Sequence, residues 1–476
     1  MTRILFWNIE QFSINKVYSA SNQVTRGHGG LTDTVAAEQR RAMIRHVVNA
    51  AQPDIIVIIE VSSGENIAGD LATPTGGLES VAQTQYSFNQ HIAVVGGWCA
   101  VPPLYVGTDG RAETIGILYR RTDNTGAISR YFTGPNIWTG GVAGTSVPPG
   151  PGAPPAMPYT GLPLPVGTVN INSMLQPTQF GAARIIPAGA QHNGGGAMAE
   201  NLVAARVNFN DNLGNAIDFQ GLRQPYMATF TEANTAGGAI LRNLTLFAIH
   251  APPNAGAAAV YINGLSTLPD AVGPLGANET RVIGGDFNVN LLAANGTASG
   301  AYNPLTIAPN AYRLLVEPTA AGIPANFDQY RGYFATHIRG KHKDAASLFL
   351  WSDPATGQPS FYPGYGYIGS DFSPVPAYSI DNVLVWPWLA APHNYQTTIM
   401  NLVTGTPLAG NPAPADNPPI GTIGMGTGLA GAPVGWPFAP VSGAWPGVGG
   451  AGAMTSWNNY GRVRNTSDHF GIYVNV

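Results

Sequence analysis

Uninterrupted apolar runs that stop on one polar side chain organise this sequence. Ile4-Leu5-Phe6-Trp7 stops at Asn8, Ile55-Ile56-Val57-Ile58-Ile59 at Glu60, Phe247-Ala248-Ile249 at His250, and Val282-Ile283-Gly284-Gly285 at Asp286. Runs this short, rich in β-branched residues and lacking polar alternation, predict strands buried on both faces. Further strands are predicted at 114–119, 226–230, 244–249, 380–385 and 470–476, with a short one near 168–171. A 3.6-residue period runs through 34–51, with Val35, Met43, Ile44, Val47 and Val48 on one face and Glu38, Arg40, Arg41 and Arg45 off it. Thr32, Asp33 and Thr34 offer its N-cap, and Pro53 follows its end. A second helix is predicted over 257–265. Strands and helices mixed in this way indicate an α/β protein.

Between these elements the composition changes. Residues 135–222, 291–375 and 404–453 carry Gly, Pro and Ala tracts such as Pro148-Pro149-Gly150-Pro151-Gly152 and read as loop insertions. They interrupt one domain spanning 1–476, because the strands on either side of them end alike. The chain has 60 Gly and 40 Pro, and its 10% charged residues fall well under the roughly 25% usual in soluble domains. Its 44% apolar content still supports a packed core with long neutral loops. A formal charge of −4 excludes a protein that coats nucleic acid through overall basicity. The single cysteine, Cys99, excludes an internal disulfide and a cysteine metal cluster, and reads as a small buried hydrophobe. No apolar run reaches the ~20 residues that span a bilayer, and Met1-Thr2-Arg3 opens onto a run too short for a signal peptide. A cytoplasmic protein is therefore expected, with leaderless export or a removed leader as alternatives.

A carboxylate at the end of an all-apolar strand is costly unless it is solvated, paired or bound to a metal. A solvated end or a cap would explain any one of these positions. It does not explain Asn8, Glu60, Glu113, His250, Asp286, Asn288, Asp381, Asp468 and His469 all lying at strand ends. In an extended segment Asp286 and Asn288 share a face, and the glycines before them admit a close neighbour. Hard oxygen donors of this kind hold a divalent cation. Two histidines, each steadied by a carboxylate, suit the proton transfers of phosphodiester hydrolysis. The sequence contains no Gly-rich phosphate loop ending in Lys-Ser/Thr, no His-Glu-x-x-His and no Gly-x-Ser-x-Gly. The other seven histidines lack a comparable setting, and His337 and His342 in His337-Ile338-Arg339-Gly340-Lys341-His342-Lys343 read as part of a solvated basic loop.

In this order the motifs resemble those of the endonuclease/exonuclease/phosphatase superfamily, nearer its deoxyribonuclease I branch than its exonuclease III branch. The matching blocks are Trp-Asn-Ile at 7–9, Ile-Ile-Glu-Val at 58–61, Gly-Gly-Asp-Phe-Asn at 284–288, Ile-Asp-Asn-Val at 380–383 and Ser-Asp-His-Phe at 467–470. The deoxyribonuclease I branch is favoured by Phe247-Ala248-Ile249-His250-Ala251-Pro252, by Glu113 before its strand and by Arg223-Gln224-Pro225. The resemblance implies a four-layer α/β/β/α sandwich of two packed mixed sheets (α+β), with the site at one rim. It implies Glu60 as principal metal ligand with Asn8 and Asp468 close by, the cation being Mg2+, with Mn2+ or Ca2+ as alternatives. It implies that Asp286 and Asn288 position the nucleophile and the scissile phosphate, and that Arg223 contacts a phosphate. His469 with Asp381, and His250 with Glu113, would be the two proton-transferring pairs, with acid and base left open between them.

Departures from the pattern bear on the substrate. Glu10, and Ser62-Ser63, stand where the deoxyribonuclease I branch places arginines that enter the minor groove, and Arg111 replaces an aromatic residue. Arg339, Lys341 and Lys343 form the best cationic cluster for backbone phosphates, against the simpler reading of a surface loop. The expected activity is a metal-dependent phosphodiesterase, a DNA endonuclease of low sequence specificity with nucleic acid as partner. The alternatives are a sphingomyelinase-like phospholipid phosphodiesterase, a phosphatase, or an inactive binding protein on the same fold. Trp436-Pro437-Phe438 and Trp445-Pro446 could touch a lipid surface, but read more simply as turns packed on the core.

Overall fold

The computed structural model describes residues 2–12, 51–62, 98–101, 105–106, 113–120, 131–133, 157–159, 167–169, 223–233, 240–276, 278–291, 293, 298–310, 312–315, 336–337, 350–352, 359–361, 379–387, 396–399 and 466–476. It also describes positions 16, 40, 44, 45, 47–49, 81, 84, 85, 88, 213, 215, 217 and 219. The predicted cap at 32–34, the side chain of Cys99, Arg111, Ser63, the cluster Arg339, Lys341 and Lys343, His342 and the stretch 404–453 lie outside the described residues.

In chain order the strands are β1 (Arg3–Phe12), β2 (Ile55–Ser62), β3 (Trp98–Val101), β4 (Tyr105–Val106), β5 (Glu113–Arg120), β6 (Tyr131–Thr133), β7 (Met157–Tyr159), β8 (Gly167–Val169) and β9 (Tyr226–Ala233). They continue with β10 (Ile240–His250), β11 (Glu279–Asp286), β12 (Arg313–Leu314), β13 (Leu350–Ser352), β14 (Pro359–Phe361), β15 (Asp381–Trp386), β16 (Gln396–Ile399) and β17 (Ile472–Asn475). The described helices are α1 (Ala255–Leu265), α2 (Pro269–Val272) and α3 (Asn303–Thr306). One sheet has the order β16-β17-β1-β2-β5-β3, with β4 also on β5; the other runs β12-β15-β11-β10-β9-β6. Each is mixed: β1 and β2 are parallel in the first, β10 and β11 in the second, and the remaining pairings are antiparallel.

The two sheets pack face to face through the apolar runs. Phe6 of β1 lies on Gly284 of β11, where a Cβ would stand 2.6 Å from its ring. Gly285 has φ +139°, and a Cβ there would meet the Ile249 carbonyl at 2.2 Å and Ile59 of β2 at 2.7 Å. Only glycine fits that backbone and that gap. The two glycines are the place where the sheets close on each other, immediately before Asp286. Tyr119 of β5 and Phe230 of β9 add an edge-on aromatic pair at 5.3 Å. Helical cover comes from α1, capped by the Asn254 side chain and burying Ala258, Tyr261, Ile262 and Leu265. Helical residues within the predicted 34–51 segment bury Ile44, Val47, Val48 and Ala51. The fold is thus the α/β sandwich of two packed mixed sheets that the motifs imply.

Several expectations are corrected. Arg40, placed off the apolar face, is only 2% exposed and donates from Nε to the Lys16 carbonyl. A guanidinium can enter the core because it brings its own donors to a carbonyl there. Asn8 does not end its strand but sits inside β1. The stretch 291–375 is more than an insertion: β12 pairs with β15 at the sheet edge, and residues 336–337 reach the candidate site.

Candidate active site

The site is built at the rim where the paired parallel strands of both sheets end. In the second sheet His250 of β10 lies in register with Asp286 of β11, which in turn lies opposite Asp381 of β15. Three neighbouring strands therefore set an imidazole and two carboxylates in one row. In the first sheet Asn8 pairs with Ile59, one residue before Glu60. The ladder is irregular on both sides of Glu60, whose φ is +64°, as is that of Gln11 at +49°. A bulge of this sort re-aims a side chain out of the pleat. The Gln11 amide donates to Glu60 Oε1 at 3.1 Å and fixes the new direction.

Asp286 is the hub. Its Oδ1 accepts from the Asn288 amide at 2.9 Å and its Oδ2 from Asn8 Nδ2 at 3.1 Å. The Nε2 atoms of His250 and His469 each stand 3.7 Å from the same Oδ2. That spacing is too long for a hydrogen bond and leaves both ring nitrogens facing the gap. Behind each imidazole stands a carboxylate: His250 Nδ1 is 2.7 Å from Glu113 Oε1, and His469 Nδ1 is 2.7 Å from Asp381 Oδ2. A carboxylate at Nδ1 holds the proton there and turns Nε2 outward. Burial, the largest influence, opposes charge on both rings, yet the carboxylates outweigh it. His250 is raised above the ordinary histidine value by Glu113, and His469 well above it by Asp381, Asp468 and Asp286.

Asn288 reaches this place by a route other than the one expected. It does not follow Asp286 in extended backbone; its φ is +51°, and its amide closes a turn onto the Asp286 carboxylate. Asx turns compete with the strand for the same amide, and here the turn wins as the ladder ends. One N–H of Asn288 Nδ2 donates to the Ala251 carbonyl at 2.8 Å. Arg223 has its Nε 3.1 Å from Glu113 Oε2, so it stands against the carboxylate that backs His250.

Two features missed in the sequence complete the arrangement. The Thr336 hydroxyl accepts from the amides of Ile380 and Asp381 at 3.2 and 3.0 Å, and its carbonyl accepts from the Phe470 amide at 2.6 Å. His337 is not in a solvated loop: it bridges to His469 across one antiparallel step, packs edge-on against its ring at 5.0 Å and is half-buried. The run Tyr333-Phe334-Ala335 just before this pair was the available signal, since an apolar stretch ending on Thr-His repeats the pattern of the other strand ends. Ser467, also buried, donates to the Asn8 carbonyl at 2.6 Å and ties the His469 turn to β1.

Glu60, Asn8 and Asp468 offer the oxygen donors that a hard divalent ion takes. The fit rests on Asn8: its Nδ2 donates to Asp286, while its Oδ1 is buried without a hydrogen-bond partner among the described residues. An orphaned buried acceptor is costly unless something cationic meets it. Burial also pushes the Glu60 carboxyl up, with Asp468 and Glu113 adding to it and His250 and His469 opposing, so a nearby cation would relieve its charge. Two other clusters, His337 with Asp468 and His469, and Asp286 with Asp381 and His469, bring three potential ligand atoms within 4.8 Å. Among the described residues no helix is long and apolar enough to cross a membrane.

No family model and no curated sequence matches the chain. Solved structures do, and several are endonuclease/exonuclease/phosphatase family proteins, the superfamily its motifs resemble. A humanized zebrafish (D. rerio) TDP2 is 10% identical with a TM-score of 0.34, covering 100% of this chain and 99% of its own. An endonuclease/exonuclease/phosphatase family protein from Leptotrichia buccalis gives the same identity, TM-score and coverage. A beta toxin from Staphylococcus aureus is 8% identical with a TM-score of 0.35, again covering 100% of this chain and 99% of that one.

Proposed function

We propose that the chain is a metal-dependent phosphodiesterase, acting on DNA as an endonuclease of low sequence specificity. One observation carries the reading: two imidazoles, each backed by a carboxylate at 2.7 Å, turn their Nε2 atoms toward one carboxylate oxygen, each at 3.7 Å. A reaction that needs a proton removed on one side of a reacting atom and delivered on the other uses such a pair. Displacement of an ester oxygen from phosphorus by water is that reaction. DNA as substrate rests on the order of the motifs.

Glu60, Asn8 and Asp468 would hold the cation, Mg2+ by the hardness of the donors with Mn2+ or Ca2+ able to replace it. When bound, it would supply positive charge to a phosphate oxygen as negative charge builds there. Asp286 Oδ2, already an acceptor, orients the attacking water through its O–H. One imidazole takes the water's proton at Nε2, and the other returns a proton to the leaving ester oxygen. Each transfer is worth about 10²–10⁴-fold in rate. Glu113 and Asp381 keep their rings in the required tautomer and steady the imidazolium form. Asn288, held by its amide on Asp286 and by one N–H of Nδ2 on the Ala251 carbonyl, would meet the phosphate through the remaining N–H of Nδ2.

The test is a parallel assay on plasmid DNA, RNA, sphingomyelin, an aryl phosphodiester and a phosphomonoester, each with Mg2+, with Mn2+ and with EDTA. Metal-dependent cleavage of DNA is expected. Cleavage of sphingomyelin or of the monoester with DNA left intact would transfer the site to the lipid or phosphatase reading. A chain inert toward all five, and taking up no divalent ion by calorimetry, would make it a binding protein.

A further inference from the structure

Among the described residues, His337 is the imidazole at the site that the mechanism leaves unused. Its Nε2 is 3.7 Å from Asp468 Oδ2, while His469 Nε2 is 3.6 Å from the other oxygen, Oδ1. The same carboxylate thus stands between two rings, and neither distance is a hydrogen bond. A ring nitrogen from each histidine and a carboxylate oxygen lie within 4.8 Å of one another. A metal would take Nε2 as a lone pair, whereas a phosphate oxygen would take it as an N–H donor.

The other ring nitrogen decides between these. His337 Nδ1 is buried and has no hydrogen-bond partner among the described residues. A buried N–H without a partner is the rarer and costlier vacancy, and an unused lone pair is more easily borne. In its neutral form the ring therefore carries its hydrogen on Nε2. To serve as a metal ligand it would have to move that hydrogen to Nδ1 and orphan it. The ring is also held in place rather than adventitious. Its backbone bridges to His469, and the neighbouring Thr336 binds the amides of Ile380 and Asp381 and the amide of Phe470. Two nitrogens no more than 4.8 Å apart can share one oxygen at about 2.8 Å from each.

We infer that His337 is a substrate-binding residue whose Nε2–H donates to a non-bridging oxygen of the phosphate, beside His469, and that it is not a metal ligand. This rests on reading the site as a phosphoester hydrolase. It gives that site a third imidazole, supplied by the segment at 336–337 instead of by a core strand. The expected consequence is tighter capture of the phosphate group, felt in KM and in product affinity more than in metal affinity.

The experiment titrates inorganic phosphate into the full chain with saturating Mg2+ by calorimetry, and Mg2+ alone into the same proteins. His337→Gln keeps an N–H at the reach of Nε2, while His337→Asn does not. His337→Asn is expected to weaken phosphate about ten- to a hundredfold, the range for a hydrogen bond to a charged group, and to leave Mg2+ affinity within twofold. His337→Gln should restore most of the phosphate affinity, and KM with an aryl phosphodiester should follow the same order. Equal phosphate affinity in all three proteins overturns the assignment. A parallel loss of Mg2+ affinity in His337→Asn overturns it in favour of a metal ligand. No phosphate uptake by the unaltered protein with Mg2+ present overturns the His337 assignment; only if it also cleaves none of the five substrates does the hydrolase reading fail with it.

Discussion

Replacing Asp286 by Asn tests the centre of the site without changing its size. Both carboxylate oxygens of Asp286 accept from N–H groups, Asn288 N at 2.9 Å and Asn8 Nδ2 at 3.1 Å. An amide has one acceptor, so Asp286→Asn must lose one of the two. If its oxygen stays on the Asn288 amide, its NH2 confronts Asn8 Nδ2, and relief comes by turning the Asn8 amide over. That rotation buries Asn8 Oδ1 against residue 286 and presents NH2 where the cation would sit. Loss of an orienting partner commonly lowers metal affinity 10–100-fold, or about 1.4–2.7 kcal/mol. If the oxygen instead stays on Asn8, the part-buried Asn288 amide is left unpaired, at a cost toward the lower end of about 1–3 kcal/mol. Replacing the carboxylate also weakens the acceptor that orients the attacking water, a further loss on the order of 10²-fold in rate. Calorimetry with Mn2+, urea unfolding of the metal-free protein and single-turnover cleavage of an aryl phosphodiester separate these contributions. Asp286→Asn with unchanged metal affinity, unchanged urea midpoint and a rate within tenfold of the parent would refute the hub described here.

Three further outcomes follow from particular contacts. Thr336→Val deprives two buried amides of their acceptor and should destabilise by about 1–3 kcal/mol or more, while Thr336→Ser should not; equal urea midpoints for the two would remove Thr336 from the framework. Gly285→Ala adds backbone strain of about 1–3 kcal/mol and overpacking of similar size at the point where β11 meets the Ile249 carbonyl, so a loss of about 2–6 kcal/mol is expected in urea. A neutral result there would mean the sheets do not close at this glycine. The pH dependence concerns His250, where burial disfavours charge but Glu113 raises the pKa above 6.5. A raised pKa stabilises fully below the unfolded value near 6.5 and is lost as pH rises through the folded value, so metal-free urea midpoints should fall over that window. Glu113→Gln should flatten that fall, and an undiminished slope would place its origin elsewhere.

The core strands were legible because burial on both faces leaves an unmistakable apolar run: Ile55 to Ile59 and Val282 to Ile283 could hardly be anything else. The polar residues that stop these runs were legible for the same reason, and the structure brings Asn8, His250, Asp286, Asp381 and His469 together. What the sequence hid was local geometry and long-range pairing. The Asp286–Asn288 relation looked like strand alternation, but the chain had already left the strand, and an Asx turn made the contact instead. His337 was obscured by its neighbours: Arg339, Lys341 and Lys343 give the segment the look of a solvated loop, while its partner His469 lies far along the chain. Arg40 was misjudged because side-chain charge says nothing of a carbonyl waiting in the interior.

On the proposed reading, the row His250, Asp286, His469 carries out metal-dependent hydrolysis of a phosphodiester. Nicking of supercoiled plasmid in Mg2+ or Mn2+, followed for the parent chain, Asp286→Ala and His469→Ala, tests it most directly. Nicking by the parent is expected to stop in EDTA and to fall at least 10²-fold in both variants. Nicking that persists in EDTA, or that survives undiminished in either variant, would contradict it.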